Sequence, residues 1–422
     1  MFFYEKIISV IKQYRTIFSN MSYLSAMQVF KMFIPLITYP YLIRVLGSET
    51  YGLIVFVQAI IAYLLILVGF GFNTIATKEI SVNRDNKEKI NEIVSSVLII
   101  KIALLIFAFL ILYFLVLFIP KFQEHSLLFF LCMGVCVNQA FFPTWYFQGV
   151  EQMKYITLIN ISFQIASVIF ILILIKEKED YLLLPLINSI SYSISGLVAL
   201  WVVFKSHGVK FVKQKLETLR YYFEEGFVLF FANFFGVLKD KGNILVIGVF
   251  LGLDEVAYYD LAQKLVIIIF SFFAVVNTAF YPHFAKVKSA LFSRNYLKLL
   301  LIISIFSYLF LTIFSKWIIL FLAGEKMLPT QTIIYILGLW LIIETMSNSI
   351  GRNVLIVNNK SKAFLNSLVS VSLVYSILVC LLFINDIVTM HTLATALIIS
   401  MFFGLCHRIF LCRKHNVIDW LF

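Results

Sequence analysis

Apolar runs of roughly twenty residues recur from one end of this chain to the other, the length a helix rising about 1.5 Å per residue needs to cross about 30 Å of hydrocarbon. Short charged or turn-forming breaks separate them, at about twelve predicted spans: 22–46, 50–72, 91–119, 126–149, 155–175, 182–204, 224–251, 256–281, 297–322, 328–351, 362–384 and 389–411. With 62% hydrophobic and 13% charged residues, this much apolar surface exceeds what one soluble core can hide. A mean hydropathy of +0.97 agrees. The bilayer is therefore the expected solvent, and the fold class an all-α integral membrane protein.

The net charge of +12 raises the question of nucleic acid, and the placement of the charges answers it. Of 34 Lys and Arg, 23 fall in the termini and alternate loops on one side, six on the other, and five inside spans. Positives that follow alternate loops report topology, with both termini cytoplasmic, rather than one nucleic-acid patch. Residues 1–21 read as an amphipathic cytoplasmic segment that is not a cleaved signal, because charges interrupt the apolar residues and no small-residue cleavage site follows. The segments on the outer side are short, so any function sits among the helices. The expected domains are a six-helix lobe over 22–204, a basic linker at 205–223, a second six-helix lobe over 224–411 and a cytoplasmic tail at 412–422.

Two pairs of motifs place the repeat break in that linker. Val45-Leu46-Gly47-Ser48-Glu49-Thr50-Tyr51-Gly52 after the first span matches Phe250-Leu251-Gly252-Leu253-Asp254-Glu255-Val256-Ala257-Tyr258 after the seventh, and Gln148-Gly149-Val150-Glu151-Gln152-Met153-Lys154 at the end of the fourth pairs with Gly351-Arg352-Asn353-Val354-Leu355-Ile356-Val357-Asn358-Asn359-Lys360 at the end of the tenth. Pro35 and Pro40 predict a bend in the first span. Gly248 and Gly252 form a GxxxG that reads as local helix packing.

Common catalytic spacings are missing: the sequence has no GxxxxGK[ST], no HExxH and no GxSxG. No catalytic residue, metal site or cofactor is predicted, and the five cysteines lack zinc spacing. The informative residues are the intramembrane charges, since a Lys or Asp at mid-bilayer costs roughly 2.5 to 3.5 kcal/mol. Lys31 lies in the first span, Lys239-Asp240-Lys241 in the seventh, and Asp260 with Lys264 at i, i+4 in the eighth. Asn233, Gly236, Asp240 and Asn243 share one helical stripe. Lys31, Lys239, Asp240, Lys241 and Lys264 are the candidate substrate contacts, and their balance predicts a net-positive lumen that favours anionic cargo. Asp260, Arg44 and Glu344 are candidates for coupling or gating. Lys101 and Glu344, nearer the cytoplasmic span ends, are expected to snorkel or to be capped by loop charges.

Four stretches resemble a known family: Tyr39-Pro40-Tyr41-Leu42-Ile43-Arg44-Val45-Leu46-Gly47 with Tyr51-Gly52, Gly69-Phe70-Gly71-Phe72-Asn73, Trp145-Tyr146-Phe147-Gln148-Gly149-Val150-Glu151, and Phe250-Leu251-Gly252 with Tyr258. The chain is similar to the polysaccharide-repeat-unit (O-antigen, Wzx-type) flippases of the multidrug/oligosaccharidyl-lipid/polysaccharide exporter superfamily. That resemblance implies two pseudo-symmetric six-helix lobes around a central cavity lined by the first, second, seventh and eighth helices. It implies a polyprenyl-diphosphate-linked oligosaccharide, carried on undecaprenyl diphosphate, moved to the outer leaflet of a bacterial inner membrane by alternating access. Membrane lipids, a polysaccharide polymerase and chain-length machinery are the expected partners. The competing readings are a cation-coupled exporter of small molecules on the same fold and a polysaccharide polymerase or ligase.

Overall fold

In the computed structural model, the backbone is described for residues 2–287, 290–358, 360–415 and 417, and side chains for 19–277, 280, 284, 291–358, 360, 362–415 and 417. The side chains of the N-terminal segment up to residue 18, those of Lys286 and Lys288, and most of the tail at 412–422 lie outside the described residues. Helices α1 (Phe2–Gly69), α2 (Phe72–Val82), α3 (Lys87–Phe118), α4 (Pro120–Glu124), α5 (Ser126–Cys132), α6 (Gly134–Phe141), α7 (Thr144–Gly149), α8 (Met153–Leu174) and α9 (Leu183–Trp201) are followed by α10 (Leu216–Phe250), α11 (Leu253–Val287), α12 (Ala290–Ala323), α13 (Thr330–Ser349), α14 (Ser361–Ile384) and α15 (Met390–Lys414).

Ten helical segments among the described residues are long and apolar enough to cross a membrane, and the first, Ser19–Val82, has the length of more than one crossing. Helix α10 is not among the ten; it is the helix interrupted by Lys239-Asp240-Lys241. On α12, Ile302, Phe306, Leu309, Ile313 and Trp317 recur at three- and four-residue steps and stay exposed. Such a continuous apolar face has no place in water and is what lipid tails would cover.

The break in the first apolar stretch does not fall where proline predicts it. Helical dihedrals persist through Pro35 and Pro40, and the single non-helical residue in α1 is Gly47, at φ 77° and ψ 166°. A residue with a Cβ adopts that conformation only under strain, which is why glycine stands there. The fourth predicted span is likewise interrupted, into α5, α6 and α7, with Pro143 preceding the last.

By contacts the chain divides into two compact units, residues 1–38 with 60–233, and residues 39–59 with 234–422. The paired motifs place the break at 205–223; by contacts the first unit runs on to residue 233, and residues 39–59 go with the second. Residues 39–59 join the second unit because small residues let backbones meet there. A Cβ on Gly52 would run into the carbonyl oxygen of Leu253, and one on Gly248 into the ring of Phe56. Gly248 of the GxxxG thus serves local packing.

In the first unit α9 packs on α6 and α8, and α2 on α7. Phe70, Phe72, Ile80, Ile93, Trp145 and Phe147 form its core. The Trp145–Glu151 stretch is pinned to α2: Thr77 donates to the Trp145 carbonyl (3.2 Å), and Arg84 Nε donates to the Gly149 carbonyl (2.7 Å). In the second unit α13 is central, packing on α11, α12 and α15. Asn243, Tyr259 and Tyr375 form a buried network there, with Asn243 Nδ2 donating to Tyr259 (2.7 Å) and Tyr375 donating to Asn243 Oδ1 (2.6 Å).

Candidate functional site

Three consecutive charges on a helix point about 100° apart, so Lys239, Asp240 and Lys241 cannot share one direction. Within the second unit all three nevertheless border one cavity of about 370 Å³, walled also by Gln263 of α11, Trp340 and Glu344 of α13, and Leu397 of α15. Lys239 is turned inward, 3.2 Å from Asp240 Oδ1 and 3.6 Å from the Met401 sulfur. Gln263 Nε2 donates to the Asp240 carbonyl at 3.1 Å. Phe270 and Trp340 meet edge to face at 4.8 Å and supply an aromatic wall. Glu344 Oε2 is buried and accepts no hydrogen bond among the described residues.

The lining of this cavity corrects the expectation for Glu344. Glu344, predicted to be served by loop charges, shares the cavity with Lys239 and Lys241, so two carboxylates face two ammonium groups. The second-unit cavity is charge-balanced. Its chemistry is amphoteric and aromatic, able to give and accept hydrogen bonds beside a ring face.

Lys264 belongs to a separate cluster. Its Nζ lies 2.5 Å from Asp260 Oδ2 and donates to the Tyr51 hydroxyl, while Tyr51 donates to Asp260 at 3.3 Å. The rings of Tyr39 and Tyr51 stand 5.1 and 5.0 Å from the ammonium. Asp260 is only 4% exposed while 32% of the Lys264 side chain stays accessible, and the pair is neutralised on site. Arg44 is equally engaged: its Nη2 donates to the Phe321 carbonyl (2.5 Å) in the last turn of α12, where helix carbonyls lack intrahelical donors.

Lys31 lies in the first unit, exposed, with no hydrogen bond or ion pair among the described residues. Two other cations depart from expectation. Lys101 is fully buried instead of snorkelling, its Nζ donating to the Gln139 carbonyl at 2.9 Å. Arg408, counted above with the cytoplasmic positives, is buried, donating to Ser367 (3.0 Å) and Ser347 (2.6 Å) beside the ring of Phe364. Sequence reasoning did not single out Gln263, Phe270 or Trp340. Gln263 offered a signal, standing beside Lys264 and three residues after Asp260; an apolar run hides the two aromatics.

Ten membrane-length helical segments among the described residues, with a polar cavity inside the second unit, define a multi-pass membrane protein of the transporter type, and solved structures agree on the fold. Lipid II flippase MurJ in its inward closed conformation matches with a TM-score of 0.75 at 15% identity, covering 94% of this chain and 87% of that one. An inward-facing multidrug resistance MATE family transporter of the MOP superfamily matches with a TM-score of 0.68 at 12% identity, over 90% and 94% of the two chains. Residues 17–288 match the family described as "Polysaccharide biosynthesis protein", and the chain belongs to it. A putative O-antigen transporter of Escherichia coli (strain K12) is 26% identical over 366 residues, 85% of this chain and 88% of that one. The resemblance read from the motifs is thereby upheld.

Proposed function

We propose that this protein flips a polyprenyl-diphosphate-linked oligosaccharide, of the O-antigen or capsule type, from the cytoplasmic to the outer leaflet of a bacterial inner membrane. The observation that carries the reading is the cavity at Lys239-Asp240-Lys241. Carboxylates, ammonium groups and an amide beside an aromatic wall form the chemistry that receives sugar hydroxyls, and about 370 Å³ is within the ~300–1,000 Å³ of ligand sites. Lys241, without an ion partner among the described residues, is the cation this cavity offers to the carrier's diphosphate, and Lys239 and Asp240 orient the sugars; Lys31 is a separate candidate contact on the first unit. Asp260, Lys264 and Arg44 hold the helices that carry the site. Alternating exposure of the site to the two leaflets moves the headgroup while the prenyl tail stays in lipid. Family membership and the named O-antigen transporter relative support the cargo class. The excess of positives in alternate loops supports cytoplasmic termini. A polymerase with its chain-length machinery is the downstream consumer.

Asp240→Asn with Lys241→Gln, in a strain lacking the chromosomal copy, is expected to abolish surface polysaccharide at unchanged protein level. Full surface polysaccharide from that variant would remove the cavity from the transport path. One observation favours a second reading, cation-coupled export of small molecules: the unpartnered Glu344 Oε2 is what a coupling cation or an organic cation would seek. Hypersensitivity of the deletion strain to organic cations, with normal polysaccharide, selects that reading instead.

A further inference from the structure

A second cavity, of about 540 Å³, lies wholly within the first unit and shares no residue with the second-unit cavity described above. Its walls come from the ends of several apolar segments, close to Val82, Lys87, Gly149, Met153 and Ser206. It therefore lies at the depth of lipid headgroups rather than of tails. Arg84, Lys87 and Lys154 converge on it, joined by Asn91, Tyr155 and His207, and no carboxylate is among its walls.

The basin is held open by bonds that leave its donors free. Arg84 is anchored through Nε to the Gly149 carbonyl and through Nη2 to Glu151, both at 2.7 Å, which leaves Nη1 unengaged. Tyr146 bonds His207 Nδ1 at 3.0 Å, leaving Nε2. Among the described residues the Lys87 ammonium has no hydrogen bond or ion pair, and Lys154 has the Tyr155 ring as its contact, 4.9 Å from its centroid. A turn through Gly208, at φ 67°, carries the chain to Lys210, whose N–H donates to Asn91 Oδ1 (2.8 Å), so the Asn91 amide donor also stays free. Burial and nearby Lys154 hold the His207 imidazole below its usual range, the direction expected of a site that awaits negative charge.

We propose that this basin binds the phosphate group of a membrane-anchored headgroup, as basic pockets between membrane helices do. Arg84 supplies directional donors, Lys87 and Lys154 supply charge, and Asn91 and His207 supply neutral donors. An anionic phospholipid and a prenyl diphosphate present that same chemistry, and the site stands whatever cargo the protein moves.

Native mass spectrometry of the full chain in neutral detergent, titrated separately with phosphatidylglycerol, farnesyl diphosphate and phosphatidylcholine, tests the proposal. Lys87→Gln with Lys154→Gln leaves the Arg84 anchors intact and is expected to weaken the tighter of the two anionic ligands by about 30-fold, from roughly fivefold per headgroup-level cation. Lys326→Gln, in the other unit, is expected to change nothing. The His207 imidazole resonance is expected to move with the tighter ligand in the wild type and to stay still in the double variant. Tighter binding of phosphatidylglycerol identifies a structural lipid, and tighter binding of farnesyl diphosphate identifies a carrier-lipid site; both support the basin. Equal anion binding by wild type and double variant, or phosphatidylcholine bound as tightly as the anions, overturns it.

Discussion

In the second unit, half-buried Lys264 lies against Asp260 beside two tyrosine rings, whereas in the first unit the fully buried Lys101 donates, among the described residues, only to the carbonyl of Gln139. Both are lysines on membrane-spanning helices, yet their surroundings differ in kind. Lys264 is neutralised on site, so its charge is a fastening between α11 and the α1 segment around Tyr51. Lys101 is a cation with a dipole for company, and an ammonium buried without an anion costs stability that packing elsewhere must offset. A buried charge therefore marks function only after its partners are known. By that measure the residues bordering the second-unit cavity, partly paired and still open, outrank both lysines.

The largest effect that can break this contrast comes from Asp260. Asp260→Ala leaves Lys264 without its anion and is expected to destabilise by about 2 kcal/mol. That is below the ~3–5 kcal/mol of a fully enclosed pair, because about a third of the Lys264 side chain stays accessible. Adding Lys264→Met should restore most of the loss, as read by thermal unfolding in detergent. No restoration would mean that Asp260 acts through something other than the pair.

Next in size, Lys101→Met removes an unneutralised cation at similar volume and is expected to raise stability by about 1 kcal/mol. A clear loss of stability would show that Lys101 has an anionic partner in another state of the protein.

The smallest effect belongs to His207, which lies just beyond an apolar segment and whose titration is held below the usual value of 6.5. A base with a lowered native value binds fewer protons folded than unfolded as the pH falls. Its contribution is therefore complete above about pH 6.5 and is lost as the pH drops through the lowered native value. His207→Gln should flatten that part of the stability profile by a small amount, and an unchanged profile would remove His207 from the account of the basin.

Much of the architecture is legible before any coordinates, because span length and loop charge are imposed by the bilayer and recur along the chain. The glycine turn at Gly47, the Trp145–Glu151 hub and the charged centre of α10 all stand where the sequence places them. Other features depend on neighbours far away in the chain. Pro35 and Pro40 read as a bend, but Gly47 is the residue of α1 that leaves the helical conformation. Arg408 reads as a loop positive until Ser347 and Ser367 are brought around it. Glu344 reads as a span-end carboxylate until α13 packs on α11 and sets it across the cavity from Lys239. Helical periodicity gives the direction of a side chain, and packing decides what stands opposite.

Reconstituted flipping tests the central claim most directly. Purified protein in liposomes loaded with an undecaprenyl-diphosphate-linked oligosaccharide should speed the labelling of inner-leaflet sugar by an external, membrane-impermeant sugar-binding protein. Asp240→Asn with Lys241→Gln should return the rate to that of empty liposomes. Labelling no faster with the wild-type protein than without it, at verified incorporation and folding, would contradict the account.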